Sequence, residues 1–194
     1  MPRPHPDELR TALRSLRTRA AHLLAEPDTG AIAARTRFLT DVGHLLDTTL
    51  DQRATLDGIV GLAVPEMAEL AILDLVDDDG RLLGSGVARS ADPALAQQLL
   101  ELRATSPLDP AGTHPVAIAA RTGAVQFIRD VTQDHLRSFA ADETHFRGMS
   151  ALGYSSAIAA PLIARGRIRG VLTLLHFGDR RYEAQDVQTV SEVA

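Results

Sequence analysis

The sequence predicts an α+β domain, a central antiparallel sheet with helices on both sides, preceded by an amphipathic helix. Two apolar runs, Ser156–Ala164 and Gly170–Phe177, flank the short basic turn 165–169, which is the pattern of an antiparallel hairpin. Both faces of that hairpin are apolar. Residues 158, 160, 162 and 164 alternate with 157, 159, 161 and 163, and Val171, Thr173 and Leu175 oppose Leu172, Leu174 and His176. A hairpin apolar on both faces belongs in the middle of a sheet covered on two sides. Pro161 cannot donate to a ladder, so it calls for a bulge or an unpaired edge position.

From Asp7 to about Leu24, the apolar positions Leu9, Leu13, Leu16, Ala20 and Leu23 are spaced alternately four and three apart, a heptad seam with arginines on the other faces. So narrow a stripe suits a dimer helix, parallel or antiparallel, although one amphipathic helix packed on its own domain would show the same spacing. Glu26-Pro27-Asp28-Thr29-Gly30 breaks the pattern. This divides the chain into an N-terminal helix and linker, 1–30, and a domain, 31–194.

Within the domain a helix is expected over about Ala31–Thr49. Another follows over Gln52–Ala63, capped by Asp51 and ended by Pro65. Leu70–Val76 and Arg81–Ala88 read as strands around the turn Asp77-Asp78-Asp79-Gly80. Three carboxylates in a row lack the spaced oxygen donors of a calcium loop, so that turn reads as a solvated hairpin. Asp92 and Pro93 open a helix running to about Ala104, with cap and first-turn proline in the expected order. Ser106–Pro115 is a loop, Val116–Arg121 a short helix ended by Thr122-Gly123, and Val125–Ile128 a third strand. Asp130–Ala141 and Glu143–Leu152 are expected as two short helices crossing to the hairpin. After the hairpin, Tyr182–Asp186 begins a helix whose pattern is still running at Ala194, as in a longer protein.

Composition removes several classes of chemistry. With 194 residues, 45% hydrophobic and 23% charged, the chain reads as about one globular domain. The formal charge is −5 and the arginines are scattered, so no nucleic-acid footprint is expected. Cysteine is absent, which excludes disulfides, thiolate metal sites and thiol nucleophiles. The sequence contains no apolar run long enough to span a membrane, and the polar N-terminus lacks a secretory pattern, so a cytoplasmic protein is expected.

The order of elements resembles that of a GAF domain from a bacterial sensory protein. Pro65-Glu66-Met67-Ala68 before Leu70–Val76 and Asp79-Gly80 is similar to the family's first strand and turn. Val116–Gly123 followed by Val125–Ile128 resembles its helix, threonine-glycine, strand step. Gly153–Ala157 with Ala160-Pro161-Leu162, then Gly170–Leu174, resembles its closing hairpin, where Pro161 is at home. The resemblance covers roughly Thr36 to the end. It implies a sheet of five or six antiparallel strands, helices on one side as part of a dimer surface, and a pocket on the other.

Known uses of that family can be tested against the residues. Its bilin-binding and free-methionine sulfoxide reductase members need cysteines, and this chain has none. Its cyclic-GMP signature includes an asparagine, and the chain has no Asn. A haem through one histidine stays formally open, and the residues name no cofactor. His5, His22 and His44 read as surface residues, His114 precedes a proline in a loop, and His176 reads as a half-buried sheet residue. His135 and His145 lack a third ligand at a convincing spacing, so ordinary polar contact is expected rather than a metal. No triad or phosphate-binding glycine loop is found.

A ligand, if bound, is expected between the sheet and the cover formed by residues 130–152. The candidates are Phe127, Asp130, His135, Phe139, Phe146, Met149, Tyr154 and Ser156, with the aromatics and Met giving contact area and Asp130, Tyr154 and His135 direction. The same Phe and Met residues serve equally as core. The expected function is a non-catalytic sensory or regulatory module. It would bind a small molecule, form a homodimer through its terminal helices, or do both, and so control an output domain in the same polypeptide. That output would be a histidine kinase, a serine phosphatase or a cyclic-dinucleotide enzyme. A structural dimerisation domain with a degenerate pocket is the alternative. A small-molecule enzyme using Asp130, His135 or His145 as acid or base is a third reading, which no spacing requires.

Overall fold

The computed structural model describes residues 60–61, 63–64, 67–77, 79–164 and 166–193. The heptad segment, the helix expected over 31–49, the boundary at residue 30 and most of the helix expected over 52–63 lie outside the described residues. The order of elements is β1 (Leu70–Val76), β2 (Leu82–Ser90), α1 (Pro93–Thr105), α2 (Pro115–Thr122), β3 (Gln126–Ile128), α3 (Gln133–Phe139), α4 (Glu143–Leu152), β4 (Tyr154–Ala164), β5 (Arg167–Phe177) and α5 (Ala184–Val193). The strands form one antiparallel sheet of five in the order β2-β1-β5-β4-β3.

The hairpin of β4 and β5 lies inside the sheet, as its two apolar faces require. Its turn is tighter than the expected 165–169, because Ile163 pairs with Ile168 and Ala164 with Arg167, carrying the ladder almost to Gly166 at φ +73°. β3 reaches only as far as Ala159 on β4, so Pro161 sits where one side of its strand has no neighbouring ladder. A register shift follows at once between Leu162 and Ile163. On the other side of β5, the strand approaches β1 so closely that a Cβ on Gly170 would lie 2.8 Å from the backbone oxygen of Asp74.

The two faces carry separate cores. On the first face, Ala71, Leu73, Ile158, Ala160, Leu172 and Leu174 pack against Val60, Ala63, Tyr182 and Val190. On the opposite face, Leu70, Ile72, Ala157 and Leu175 meet Ala96, Leu99 and Leu152, while Val76, Ala159 and Val171 meet Val116, Ala119 and Ala120. Leu136, Phe146 and Met149 form a small outer cluster above this second face.

Short polar side chains start the helices that cover the second face. The Asp92 carboxylate accepts from the Ala94 amide at 2.9 Å, and Asp142 accepts from the His145 amide at 2.8 Å. His114 caps α2 through Nδ1, which accepts from the Val116 amide at 3.2 Å. Glycine at φ +69° and +72° closes α2 and α4 at Gly123 and Gly153. Gly148 lets α4 lie directly on α1, since a Cβ there would meet Leu102 at 2.4 Å. In the β1–β2 turn, Asp77 accepts from the amides of Asp79 and Arg81 at 2.9 and 2.8 Å, closing the hairpin as a solvated turn.

Candidate functional site

A cavity of about 30 Å³ lies between the second face of the sheet and the cover made by α1, α2 and α4. Its floor includes Ile72, Ala157, Ala159, Thr173 and Leu175, and its roof includes Leu99, Leu102, Met149 and Leu152. Into this apolar surround the fold brings Arg103, His114, His145, Thr173, Gln126 and Tyr154. Arg103 also lines a wider groove of about 530 Å³ between β2 and residues 100–108, where Asp74 and Ser85 stand.

Arg103 is placed by helix geometry. It follows Leu99 by four residues and Ala96 by seven, both of them buried, so it shares their inward face. Its side chain is 8% exposed and that of Asp74 2%, with Nη2 lying 3.8 Å from Asp74 Oδ2. Asp74 is also held by Ser85, whose hydroxyl donates to Oδ1 at 2.9 Å. That contact depends on a register shift after Leu73, which sets Asp74 opposite Ser85. The pairing is loose for buried charges, and Asp74 Oδ2 and Arg103 Nε have no hydrogen-bond partner.

The two histidines stack with rings 12° from parallel and centroids 6.4 Å apart. Each accepts a backbone amide proton at Nδ1, His114 from Val116 and His145 from Ala141, both at 3.2 Å. Those bonds assign the proton of each neutral ring to Nε2. Burial, the Arg103 cation and then His145 hold His114 well below its ordinary value of 6.5. His145 is also lowered, by burial first and then by Arg103, with Asp142 opposing. His145 Nε2 and Thr173 Oγ1 are buried without a hydrogen-bond partner. His114 Nε2 lies 3.4 Å from Arg103 Nη1, so two donors confront each other. Burial pushes Tyr154 up to about 12, and its hydroxyl meets Met149 Sδ at 3.8 Å.

Of the residues expected to contact a ligand, Phe139, Met149 and Tyr154 line the cavity. Phe127 is 36% exposed, because Gln126 and Ile128 take the cavity side of the short β3 and alternation turns Phe127 the other way. Asp130 lies on the surface, accepting from Arg181 Nε at 2.7 Å and Arg129 Nη1 at 3.3 Å. His135 completes the capping box of α3 with Thr132, and its exposed ring stacks on Phe139. Phe146 belongs to the outer cluster, with the Arg137 guanidinium 4.1 Å from its ring centre. Ser156 lies on the first face, donating to Ile128 O and accepting from the Tyr182 amide, both at 3.1 Å. A register shift between Tyr154 and Ser156 separates these two residues onto opposite faces.

Among the three residues considered as acid or base, His145 alone lines this cavity. No group of three or more metal-ligating side chains occurs among the described residues. No described helix is long and apolar enough to cross a membrane.

Residues 49–194 match the family model described as GAF domain. No match is found among curated protein sequences. Among solved structures, the chain is similar to the GAF domain from a phosphoenolpyruvate-protein phosphotransferase of Coxiella burnetii, with a TM-score of 0.60 and 12% identity over 84% of this chain and 89% of that one. The corresponding domain from Acinetobacter gives 0.58 and 12% over 86% and 89%. The free methionine-R-sulfoxide reductase of Neisseria meningitidis, solved in complex with its substrate, gives 0.56 and 17% over 87% of each chain.

Proposed function

The chain belongs to the GAF domain family across residues 49–194, and from that membership we propose that it is a sensory or regulatory module whose cavity under α1, α2 and α4 takes a small molecule. The observation that carries this is the concentration of buried polar groups without partners, Arg103 Nε, His145 Nε2 and Thr173 Oγ1, around one apolar cavity. A pocket that served only as core would contain apolar side chains there, because burying such groups without partners costs stability. A ligand favouring one arrangement of α1 and α4 over another would shift the equilibrium between them by its difference in affinity. That bias would pass to a dimer of terminal helices and on to an output domain in the same polypeptide.

The enzymes with this fold whose chemistry runs through thiols offer no template, since the sequence has no cysteine. The small cavity volume favours one second reading, a dimerisation scaffold whose pocket is filled by its own side chains. Native mass spectrometry of the full chain purified from cells separates the two. A retained small molecule supports sensing, and a clean protein mass across ligand screens supports the scaffold. Sedimentation of the chain with and without residues 1–30 tests the terminal helix, whose removal is expected to weaken the dimer.

A further inference from the structure

The side chains around the cavity supply many more hydrogen-bond donors than acceptors, and that imbalance restricts what fits. Arg103 carries five N–H donors, of which Nε has no partner and Nη1 faces the protonated Nε2 of His114. His145 Nε2–H and the Thr173 hydroxyl are likewise unanswered. Gln126 commits its amide nitrogen to the Ala124 carbonyl at 3.0 Å, and Tyr154 turns its proton towards Met149. The charge is equally lopsided, since among the described residues the guanidinium is countered by Asp74 alone, at 3.8 Å.

Resting on the reading of this cavity as a ligand site, we propose that it binds the carboxylate of a small monocarboxylic acid. Arg103, His114 Nε2–H and His145 Nε2–H donate to its two oxygens, and Thr173 adds a hydroxyl. A planar, singly charged acceptor suits a guanidinium fork, and an acceptor between Arg103 and His114 relieves their confrontation. Ile72, Leu99 and Leu102 leave an apolar surface for the carbon end. A doubly charged phosphate is disfavoured by Asp74, which already shares Arg103, the one cation among the described lining residues. The carboxylate and Asp74 therefore compete for Arg103, so that occupancy of the cavity loosens the tie between α1 and β1.

The test is an NMR titration of the isotope-labelled full chain with acetate, acetamide or inorganic phosphate, at ionic strength held constant with chloride, following the arginine Nε–H and histidine side-chain signals. Acetate is expected to give a saturable shift of one arginine Nε–H, absent from the charge-neutral double variant Arg103→Gln/Asp74→Asn. Thr173→Val, which keeps shape and folding, should weaken acetate about threefold to tenfold. Asp74→Asn, which removes the competitor, should tighten it about tenfold. Acetamide binding as well as acetate would overturn the carboxylate while leaving the ligand-binding cavity intact, as would phosphate saturating where acetate does not. Failure of all three probes to shift the Arg103 or histidine signals would overturn the carboxylate proposal, while a small molecule retained in native mass spectrometry would still support the ligand-binding cavity. Acetate binding unchanged in the Arg103→Gln/Asp74→Asn variant would overturn the proposal too, because the cavity would not be its site.

Discussion

The two faces of the sheet handle their buried polar groups in opposite ways. On the face with Ile158 and Leu174, Ser156 bonds to both Ile128 and Tyr182, and the Tyr182 hydroxyl donates to the Met67 carbonyl at 3.0 Å. His176 stacks on Tyr182 at 4.1 Å and faces Glu69 Oε2 at 3.2 Å. On the face with Ile72 and Leu175, by contrast, Asp74 Oδ2, Arg103 Nε, His145 Nε2 and Thr173 Oγ1 are buried without partners. A satisfied polar group specifies how a core closes, whereas an unsatisfied one adds cost to the fold and needs another reason to be there.

Stability measurements can break that contrast or sharpen it. The largest effect is expected for Arg103→Met, which strands the Asp74 carboxylate in the interior and should cost about 3–5 kcal/mol in urea unfolding. Adding Asp74→Asn should restore most of that loss, and a double variant as unstable as the single one would mean that Arg103 matters for packing rather than charge. Ser156→Ala orphans a carbonyl and an amide together, and should cost about 2 kcal/mol by the same measurement.

Acid should act more gradually. His114 and His145 have folded values below their ordinary 6.5, so the unfolded chain takes up protons first as pH falls. Stability is therefore level above about pH 7 and declines below about 6.5, by up to about 1.4 kcal/mol per pH unit for each ring, until the ring protonates in the folded state. His114→Asn retains a capping acceptor and should flatten this decline, and an unchanged acid slope would locate the proton uptake elsewhere. The smallest change is expected for Thr173→Val, within about 0.5 kcal/mol, because its hydroxyl has no partner to lose. A cost comparable to that of Ser156→Ala would erase the difference between the faces.

Much of the architecture was readable from local chemistry. The hairpin, Asp92 before Pro93, and Thr122 before Gly123 each announce an element through its own neighbours. Phe139, Met149 and Tyr154 were readable as cavity residues because they sit on or beside the covering segment. Alternation cannot reveal a doubled residue in a strand, so the sequence sets Ser156 beside Tyr154, and a strand of three has too little pattern to orient Phe127. Arg103 and Asp74 form a buried charged pair that no local motif announces, although each carries a signal in the sequence. One is a charge on the Ala96–Leu99 face of a helix, and the other is a carboxylate in phase with Leu70 and Ile72. Only the tertiary arrangement brings those two anomalies together. The same holds for His114 and His145, whose roles as helix-cap and backbone partners depend on where each loop turns.

The doubled residue at the start of β4 has a mechanical side. A sheet ordinarily insulates what lies above it from what lies below, yet here a phenol in the hollow and a hydroxyl clasping residue 182, just before the last helix, stand two positions apart on one strand. One short stretch of backbone therefore anchors both the wall of the hollow and the peptide at residue 182 on the far side.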